Sequence, residues 1–398
     1  MSRTGWSYGG IAGQSEIDAC AFILGTAFGS PPAQSREWIE KSGSDDMRAG
    51  RADGELVACL RFVRMAQWWG SKSVPMVGVA GVGVAPHRRG EGFALELMRS
   101  AMRELAAEGC PISCLYPATQ RLYDRAGYAQ AGSRFHVTVP LPRLNARAGK
   151  LKGMTLRDED AGEVKACYTR AASHLNGYLD RGDYCWTRVR ESRDGPVHGF
   201  GFRDTTGIRG YLYYTQSRKS TGKHDLKLTD IAADSRDAAM ELLAFLSDHR
   251  SMGDDAVWHA GPHDPLLALI DEQVYTLTLH HYWMMRITDA RRALEARGYA
   301  SAVRADLHLD IADDLLDLNR GRFVLTAEGG TASVKPGGRG DLRLDIRTLA
   351  TLYSGLRSAY ELRALGLIEC TDGGAINRAL ADASAIFAGP APATPDMY

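Results

Sequence analysis

One stretch of the sequence decides the fold: Val82-Gly83-Val84-Ala85-Pro86-His87-Arg88-Arg89-Gly90-Glu91-Gly92-Phe93-Ala94-Leu95. Alternating valines before the loop predict a β-strand over 73–85, and apolar residues at helical spacing after it predict an α-helix. The unpaired N–H groups at a helix start bind phosphate, and glycine lets the backbone approach a ligand closely. The stretch therefore predicts a phosphate-binding unit; the alternative is a tight turn with solvated arginines.

The spacing of the glycines excludes two common nucleotide-binding patterns. A dinucleotide fingerprint requires a third glycine where Leu95 stands, and a P-loop requires Gly-Lys-Ser/Thr, which the chain lacks. The loop does contain Arg-x-x-Gly-x-Ala, formed by Arg89, Gly92 and Ala94. A second motif, Tyr123-x-x-x-Gly127-Tyr128, follows in a segment that is predicted to be a short helix over 120–126.

These two motifs, in this order, resemble the acetyl-CoA pyrophosphate loop and the second signature of the GNAT acetyltransferases. Three further segments resemble the Eis (enhanced intracellular survival) family of aminoglycoside N-acetyltransferases. They are Val84–Arg89, His263–Leu266 and Ala293–Tyr299. The resemblance covers nearly the whole chain, and it implies an acetyl-CoA-dependent enzyme.

The length of 398 residues predicts two or three domains. The expected fold class is α+β, with tandem GNAT-like domains followed by a sterol-carrier-protein-like α+β domain. We place a catalytic domain at 1–148, a degenerate GNAT-like domain at 149–287 and the third domain at 288–398. The middle segment repeats the order of elements of the first. After its strand at 225–232 it has no glycine pair and no Arg-x-x-Gly, so we expect it not to bind CoA.

The sequence also predicts where individual helices, a linker and an extended tail lie. Ser15 is predicted to cap a helix that ends at Phe28, with Asp18 completing a capping box. The polar segment 141–153 is predicted to be a linker, and 346–365 a single helix. The proline-rich tail from Gly389 to Tyr398 is predicted to be extended.

Composition excludes several classes of protein. Lys plus Arg and Asp plus Glu both number 48, so the chain lacks the basic excess typical of nucleic-acid binders. No apolar run approaches the roughly 20 residues of a membrane span, and the N-terminus does not look like a signal peptide. Seven scattered cysteines predict free thiols and a cytoplasmic protein. Cys110 and Cys114 have no second pair nearby, so no metal site is expected.

The resemblance assigns roles to individual residues. It implies a homohexamer in the cytoplasm that acts on a small-molecule amine. Tyr123 matches the family's general acid, the terminal carboxylate of Tyr398 its general base, and Trp38 a substrate-pocket aromatic. The residues implied to contact acetyl-CoA are Val82, Gly83, Val84, Arg89, Gly90, Glu91, Gly92, Phe93, Ala94, Leu95, Ala118 and Thr119.

The chemistry of these residues fits acetyl transfer, with alternatives. An amine must be neutral to attack a thioester, so a base must take its proton. Tyr123 has a reference pKa near 10, which suits protonation of a leaving thiolate; alternatively it is a core tyrosine. Without the resemblance, the preferred interpretation of Tyr398 is a frayed terminus, as is usual for end residues. Another amine, such as a natural product or a protein lysine, is the alternative substrate, and a non-catalytic CoA-binding protein is the alternative class.

The loop and the pocket also depart from the family's pattern. Glu91 is unexpected beside a phosphate, and Gly81 stands where the family can carry an aromatic residue. Met397 replaces the acidic residue expected next to the terminal aromatic. A polycationic substrate requires carboxylates, and the candidates are Glu37, Glu40, Asp396 and the chain terminus.

Overall fold

A computed structural model describes residues 5–370 and 376–398. The chain forms two compact units. The first contains residues up to Ala66, Val74–Ala131 and Trp283–Ala388. The second contains Gln67–Ser73, Gly132–Tyr282 and Gly389–Tyr398, so it takes in the C-terminal tail.

The first unit contains a mixed sheet built mostly from the N-terminal third of the chain. Its strand order is β1-β2-β3-β4-β5-β13, with β4 parallel to β5 and β13 antiparallel to β5. The strands are β1 (Trp6–Gly10), β2 (Met47–Ala52), β3 (Glu55–Trp69), β4 (Lys72–Val84), β5 (Ile112–Leu115) and β13 (Thr276–Ile287). Four helices accompany this sheet: α1 (Gly13–Phe28), α2 (Pro32–Ser42), α3 (Phe93–Ala107) and α4 (Gln120–Asp124).

Helix α3 shows why this part of the chain folds as it does. Most of its large apolar residues recur at helical spacing, and its buried residues are Phe93, Leu95, Leu97, Met98, Ala101, Met102 and Leu105. They pack into one core with residues of β3 and β4 and with Tyr123 and Tyr128. A helix that crosses from β4 to β5 is what a parallel strand pair requires. The core therefore fixes the start of α3 at the end of β4.

The second unit repeats this arrangement. Its strand order is β6-β12-β11-β10-β9-β7, with β11 parallel to β12 and the other pairs antiparallel. The strands are β6 (Ala129–Pro140), β7 (Lys152–Thr155), β8 (Leu179–Asp180), β9 (His198–Asp204), β10 (Gly207–Arg218), β11 (His224–Ala233) and β12 (Gly253–Ala260). The helices are α5 (Ala161–Ala172), α6 (Asp183–Arg190) and α7 (Arg236–Asp248).

The remaining residues of the first unit form a separate sheet with its own helices. The strand order is β16-β15-β14-β17-β18. The strands are β14 (Ala305–Ala312), β15 (Gly321–Glu328), β16 (Thr331–Pro336), β17 (Leu342–Asp345) and β18 (Glu369–Cys370). The helices are α8 (Ala290–Ala296), α9 (Ile346–Ser354), α10 (Ala359–Ala364) and α11 (Ile376–Ile386). The predicted α+β class is confirmed.

Two predicted helix boundaries are wrong. Helix α1 begins at Gly13 with Ala12 at its N-cap, so Ser15 lies inside the helix. No side chain caps the helix start, and the Glu16 carboxylate accepts a hydrogen bond from the Ala12 N–H at 2.7 Å. The helix predicted over 346–365 is two helices, since Gly355 adopts a φ of 74° and ends the first of them.

The predicted linker is only partly irregular. A short 3₁₀ turn occupies Leu141–Arg143, and Leu141 and Leu144 are buried in the core of the second unit. The segment is therefore packed at its start, and strand β7 begins within it at Lys152.

Within the described residues, no helix is both long enough and apolar enough to span a bilayer. All seven cysteines are free thiols, as predicted.

Candidate active site

Strand β4 extends beyond the end of its parallel neighbour β5 in the first unit. Their ladder pairs only Met76–Gly78 with Ile112–Cys114, and β5 ends at Leu115 while β4 continues to Val84. The edge of β4 beyond Gly78 is therefore not used by β5. Val82, Gly83 and Val84, the residues predicted to bind the thioester and pantetheine arm, lie in this last part of β4.

The loop after β4 leaves space for a ligand at the start of α3. Gly90 and Gly92 adopt φ values of 85° and 89°, which residues with a side chain rarely adopt. A Cβ built at either position would meet no atom within 4 Å, so the backbone here faces open space. Gly92 is the N-cap of α3 and supplies no side-chain cap. The first N–H groups of α3, from Phe93 to Leu95, are thus in the arrangement that binds anions.

The two arginines of the loop have different environments. Arg88 forms ion pairs with Glu55 at 2.7 Å and with Glu91 at 2.8 Å. Arg89 is exposed and reaches only the backbone carbonyls of Val84 and Thr26, at 3.4 and 3.5 Å. In the part of the chain that the structure describes, no carboxylate pairs with Arg89. Arg89 is therefore available for a phosphate, and the unexpected charge of Glu91 is balanced by Arg88.

Tyr123 lies on α4, which packs against α3. The side chain is 6% exposed, and burial raises the pKa of Tyr123 to about 12. Among the described residues no group hydrogen-bonds its hydroxyl, and this hydroxyl is not among the fully buried polar atoms. Ala118 and Thr119, predicted to contact the other side of the cofactor, are exposed immediately before α4.

Tyr128 and Gly127 have structural roles in the same motif. The hydroxyls of Tyr128 and Ser113 hydrogen-bond each other at 2.8 Å, with both residues fully buried. Gly127 ends the α4 segment with a φ of 88°, and a Cβ there would lie 2.8 Å from the Arg286 guanidinium. The motif therefore contains one satisfied core tyrosine, Tyr128, and one tyrosine with an uncommitted hydroxyl, Tyr123.

Trp38 is half-buried on α2 and faces strand β4. A Cβ built at Gly81 would lie 3.2 Å from the Trp38 ring. Trp38 therefore fills the space that a side chain at position 81 would enter. The Arg61 guanidinium lies 5.3 Å from the centre of the ring. Trp38 thus lines β4 just before the predicted thioester-binding residues, as a pocket aromatic would.

The counterpart loop in the second unit differs in a way that opposes phosphate binding. Ser235 caps α7 by accepting a hydrogen bond from the Ala238 N–H. The preceding Asp234 is 3% exposed and pairs with Arg170 and Arg209. A capping hydroxyl and a carboxylate thus occupy the helix start that would otherwise receive a phosphate.

The C-terminal tail is extended, as predicted, and is held within the second unit. Ser133 and Ala393 form a β-bridge, in which the Ser133 N–H donates to Pro392 at 3.0 Å. The Arg134 Nε donates to the Pro395 carbonyl at 2.9 Å. Tyr398 belongs to this unit, whereas the other predicted site residues belong to the first.

Asp396 was a candidate carboxylate for the substrate, and this expectation is wrong. Its side chain is 8% exposed and forms an ion pair with Arg181 at 2.8 Å. Arg181, which sequence reasoning missed, also pairs with Asp230 at 2.6 Å. No local signal identifies Arg181, because its partners lie far away in the sequence. Of the other candidates, Glu37 pairs with Lys41 at 3.0 Å on the surface, and Glu40 is exposed.

Within the described residues, no group of three or more His, Cys, Asp or Glu side chains is arranged to hold a metal ion.

Comparison with known families agrees with this geometry. An acetyltransferase (GNAT) domain model matches residues 11–131, a second one matches 177–287, and a sterol carrier protein domain model matches 290–395. These matches confirm the tandem GNAT arrangement and the sterol-carrier-like third part. The N-acetyltransferase Eis of Mycobacterium tuberculosis is 29% identical over 78% of each chain. An uncharacterized N-acetyltransferase of Streptomyces griseus is 26% identical over 92% of this chain and 98% of that one.

Solved structures extend the match to the whole chain. A GCN5-related N-acetyltransferase from Anabaena variabilis is 34% identical, with a TM-score of 0.93 over 99% of this chain and 100% of that chain. Eis1 from Mycobacterium abscessus shares the fold at 21% identity, with a TM-score of 0.81 over 98% of this chain and all of that one. The chain therefore belongs to the GCN5-related N-acetyltransferases, enzymes that transfer acetyl groups from acetyl-CoA to amines, and is a homologue of the Eis N-acetyltransferases.

Proposed function

We propose that this N-acetyltransferase acetylates a small polyamine such as an aminoglycoside, with Tyr123 as general acid and the α-carboxylate of Tyr398 as general base. The observation that carries the proposal is the uncommitted hydroxyl of Tyr123 on α4. A buried tyrosine with a purely structural role normally satisfies its hydroxyl, as Tyr128 does through Ser113. The Tyr123 hydroxyl is instead free to donate a proton to a bound molecule.

The loop between β4 and α3 supports the binding part of the proposal. The α3 N–H groups, the open backbone at Gly90 and Gly92, and the carboxylate-free Arg89 form a set of donors suited to a pyrophosphate. These contacts would hold acetyl-CoA with its pantetheine arm along the end of β4 that extends beyond β5. Ala118 and Thr119 would line the opposite side.

Tyr123 would protonate the leaving sulfur. With a pKa of about 12, its phenol is a weaker acid than a solvated thiol, whose reference pKa is about 8.5. Burial raises the pKa of a thiol as well, as it does for Cys110, to about 11. In a closed site the two groups therefore approach each other in acidity. Proton transfer then becomes feasible as negative charge develops on the sulfur.

The terminal carboxylate would remove the proton of the amine. With a reference pKa of about 3.3–3.7 it is a weak base toward an ammonium group. Desolvation and a relaying water would strengthen it, because burial disfavours the charged carboxylate. The ordered tail supports this role, since its bridge to Ser133 and its bond to Arg134 hold the chain to within three residues of Tyr398.

One observation favours a second candidate, an amine with a single charge. A polycation requires several free carboxylates, yet Asp396 is committed to Arg181. Of the other candidate side chains, Glu40 is exposed, and Glu37 is weakened by its ion pair with Lys41. We therefore keep a monoamine natural product or a lysine side chain as the alternative acceptor.

A panel of amines separates these candidates. Amine-dependent CoA release would be measured with kanamycin, spermidine, benzylamine and a lysine-containing peptide at low and high salt. A polycation held by carboxylates should show a KM that rises steeply with salt, because exposed charges are screened within about 10 Å at 0.1 M ionic strength. Turnover of benzylamine or the peptide without turnover of kanamycin or spermidine would contradict the polyamine assignment. So would a KM for kanamycin that does not change with salt concentration.

The homohexamer and the cytoplasmic location also remain proposals, based on the resemblance to the Eis family. Light scattering on the purified protein tests the hexamer directly, and a monomer or dimer at assay concentration would contradict it.

A further inference from the structure

A buried charge cluster in the second unit holds the C-terminal tail. Arg181 follows β8, Asp230 lies on β11, and Asp396 is two residues from the chain end. The side chains of Arg181, Asp230 and Asp396 are 1%, 5% and 8% exposed. Arg181 contacts Asp230 through both terminal nitrogens, at 2.6 and 2.8 Å, and contacts Asp396 at 2.8 Å.

Arg181 does not need Asp396 to be satisfied as a charge. The bidentate pair with Asp230 is already neutral and has the planar geometry that a guanidinium prefers. The guanidinium also lies 3.8 Å from the centre of the Tyr168 ring and 4.9 Å from that of Trp186. Asp396 is therefore a second buried carboxylate beside an arginine that is already paired with Asp230. Such an arrangement costs desolvation energy, so it is weak evidence for a role in stability.

The environment of Asp396 shows this cost. Burial raises the pKa of the Asp396 carboxyl, and Asp230 adds to the increase, although Arg181 and Arg134 oppose it. The Tyr168 hydroxyl supplies a further contact to Asp396 at 3.4 Å while it donates to the Leu179 carbonyl at 2.8 Å. Asp396 is thus fixed in direction as well as in place.

Because Asp396 lies two residues before Tyr398, the charge cluster restricts where Tyr398 can lie. Arg134 holds the Pro395 carbonyl, so consecutive tail residues are bound by two arginines from different parts of the unit. Met397 and Tyr398 follow Asp396 directly. Two residues span at most about 7 Å, so fixing Asp396 confines the Cα of Tyr398 to a sphere of that radius.

We propose that Arg181, held by Asp230, positions the α-carboxylate of Tyr398 through its ion pair with Asp396. This inference rests on the proposed role of Tyr398 as the general base. Asp396 and Arg181 are positioning residues, since they act on the reaction only through the chain terminus. A misplacement of about 1 Å in a reacting group can cost on the order of 100-fold in rate.

The test compares D396N, a chain that lacks Tyr398, and the combination of both changes. Asparagine keeps the size of Asp396 but removes its charge. We expect kcat for the fastest amine of the panel to fall about 10- to 100-fold in D396N, with the Kd for acetyl-CoA unchanged. In the chain without Tyr398, addition of D396N should lower kcat by less than about two-fold, because coupled residues are not additive.

D234N is the matched control. Asp234 is a buried carboxylate of the same unit that pairs with two arginines, but it has no contact with the tail among the described residues. Its loss of stability should resemble that of D396N, and its kcat should stay at the wild-type value. If D396N does not fold, D396E keeps the charge and displaces the backbone by one methylene, and kcat should still fall.

The outcomes separate this inference from the proposed function. Full activity of D396N together with inactivity of the chain without Tyr398 overturns the positioning role and leaves the base assignment intact. Full activity of the chain without Tyr398 overturns the base itself. Multiplicative losses in the combined variant overturn the inference, because Asp396 would then act independently of Tyr398. Hydrogen exchange of residues 389–398 gives a readout without turnover: we expect faster exchange in D396N, and an unchanged rate contradicts the proposal.

Discussion

The two tyrosines of one motif predict opposite effects of the same small change. Tyr123→Phe removes a hydroxyl that has no hydrogen-bond partner among the described residues, so the free energy of unfolding should change little. Removal of a general acid lowers kcat by on the order of 10²–10⁴-fold. The Kd for acetyl-CoA should be unchanged, because its proposed contacts lie on β4, α3 and the residues before α4.

Tyr128→Phe removes the hydroxyl of the other tyrosine in the motif, and it should lower the free energy of unfolding while kcat stays near the wild-type value. It leaves the buried Ser113 hydroxyl without its 2.8 Å partner, and such a group costs roughly 1–3 kcal/mol. Urea unfolding and steady-state CoA release would be measured on both variants. Wild-type turnover in Tyr123→Phe would refute its role as acid. An equal loss of kcat in a folded Tyr128→Phe variant would refute the division of roles between the two residues.

Two further predictions concern the loop and the dependence of stability on pH. Arg89→Ala should raise both KM and Kd for acetyl-CoA roughly 10-fold with kcat unchanged. Arg88→Ala removes the partner of Glu55 and Glu91 rather than a phosphate contact, so it should raise both constants by a smaller factor, and equal effects of the two variants would contradict the assignment. Burial, together with Arg134 and three neighbouring histidines, lowers the pKa of His259 from 6.5 to about 3. The stability that depends on neutral His259 is therefore fully present above pH 6.5 and is lost as the pH falls toward 3. By proton linkage the free energy of unfolding should drop about 2 kcal/mol between pH 7 and pH 5 relative to His259→Asn, and parallel pH profiles of the two proteins would contradict this.

Local signals in the sequence were sufficient for the loop and for its helix. The glycines and arginines at 88–92 and the apolar spacing of α3 act within a few residues, so the strand–loop–helix unit was predicted correctly. The start of α1 was misplaced, because Glu16 can accept a hydrogen bond from the Ala12 N–H only in the folded geometry of that turn. Strand β1 was not predicted because it is a short run of aromatic, serine and glycine residues, stabilised by stacking of Trp6 on Phe93.

The partners of Asp396, Arg181 and Tyr128 could not be predicted from the sequence, because they are distant from these residues along the chain. Asp396 looked like a free carboxylate because Arg181 stands far from it in the chain. The pairing of Arg181 with Asp230 bridges 49 residues and depends on the complete second sheet. Likewise, nothing local distinguishes the satisfied Tyr128 from Tyr123, since Ser113 reaches Tyr128 only after β5 has taken its place.

Amine-dependent release of CoA tests the central claim most directly. The unmodified protein would be mixed with acetyl-CoA and each amine of the panel, and free thiol and acetylated amine would be quantified together. The account predicts equal amounts of CoA and of acetylated amine, with both lost in Tyr123→Phe. Tight binding of acetyl-CoA without release of CoA in the presence of any amine, or release that is unaffected by Tyr123→Phe, would contradict it.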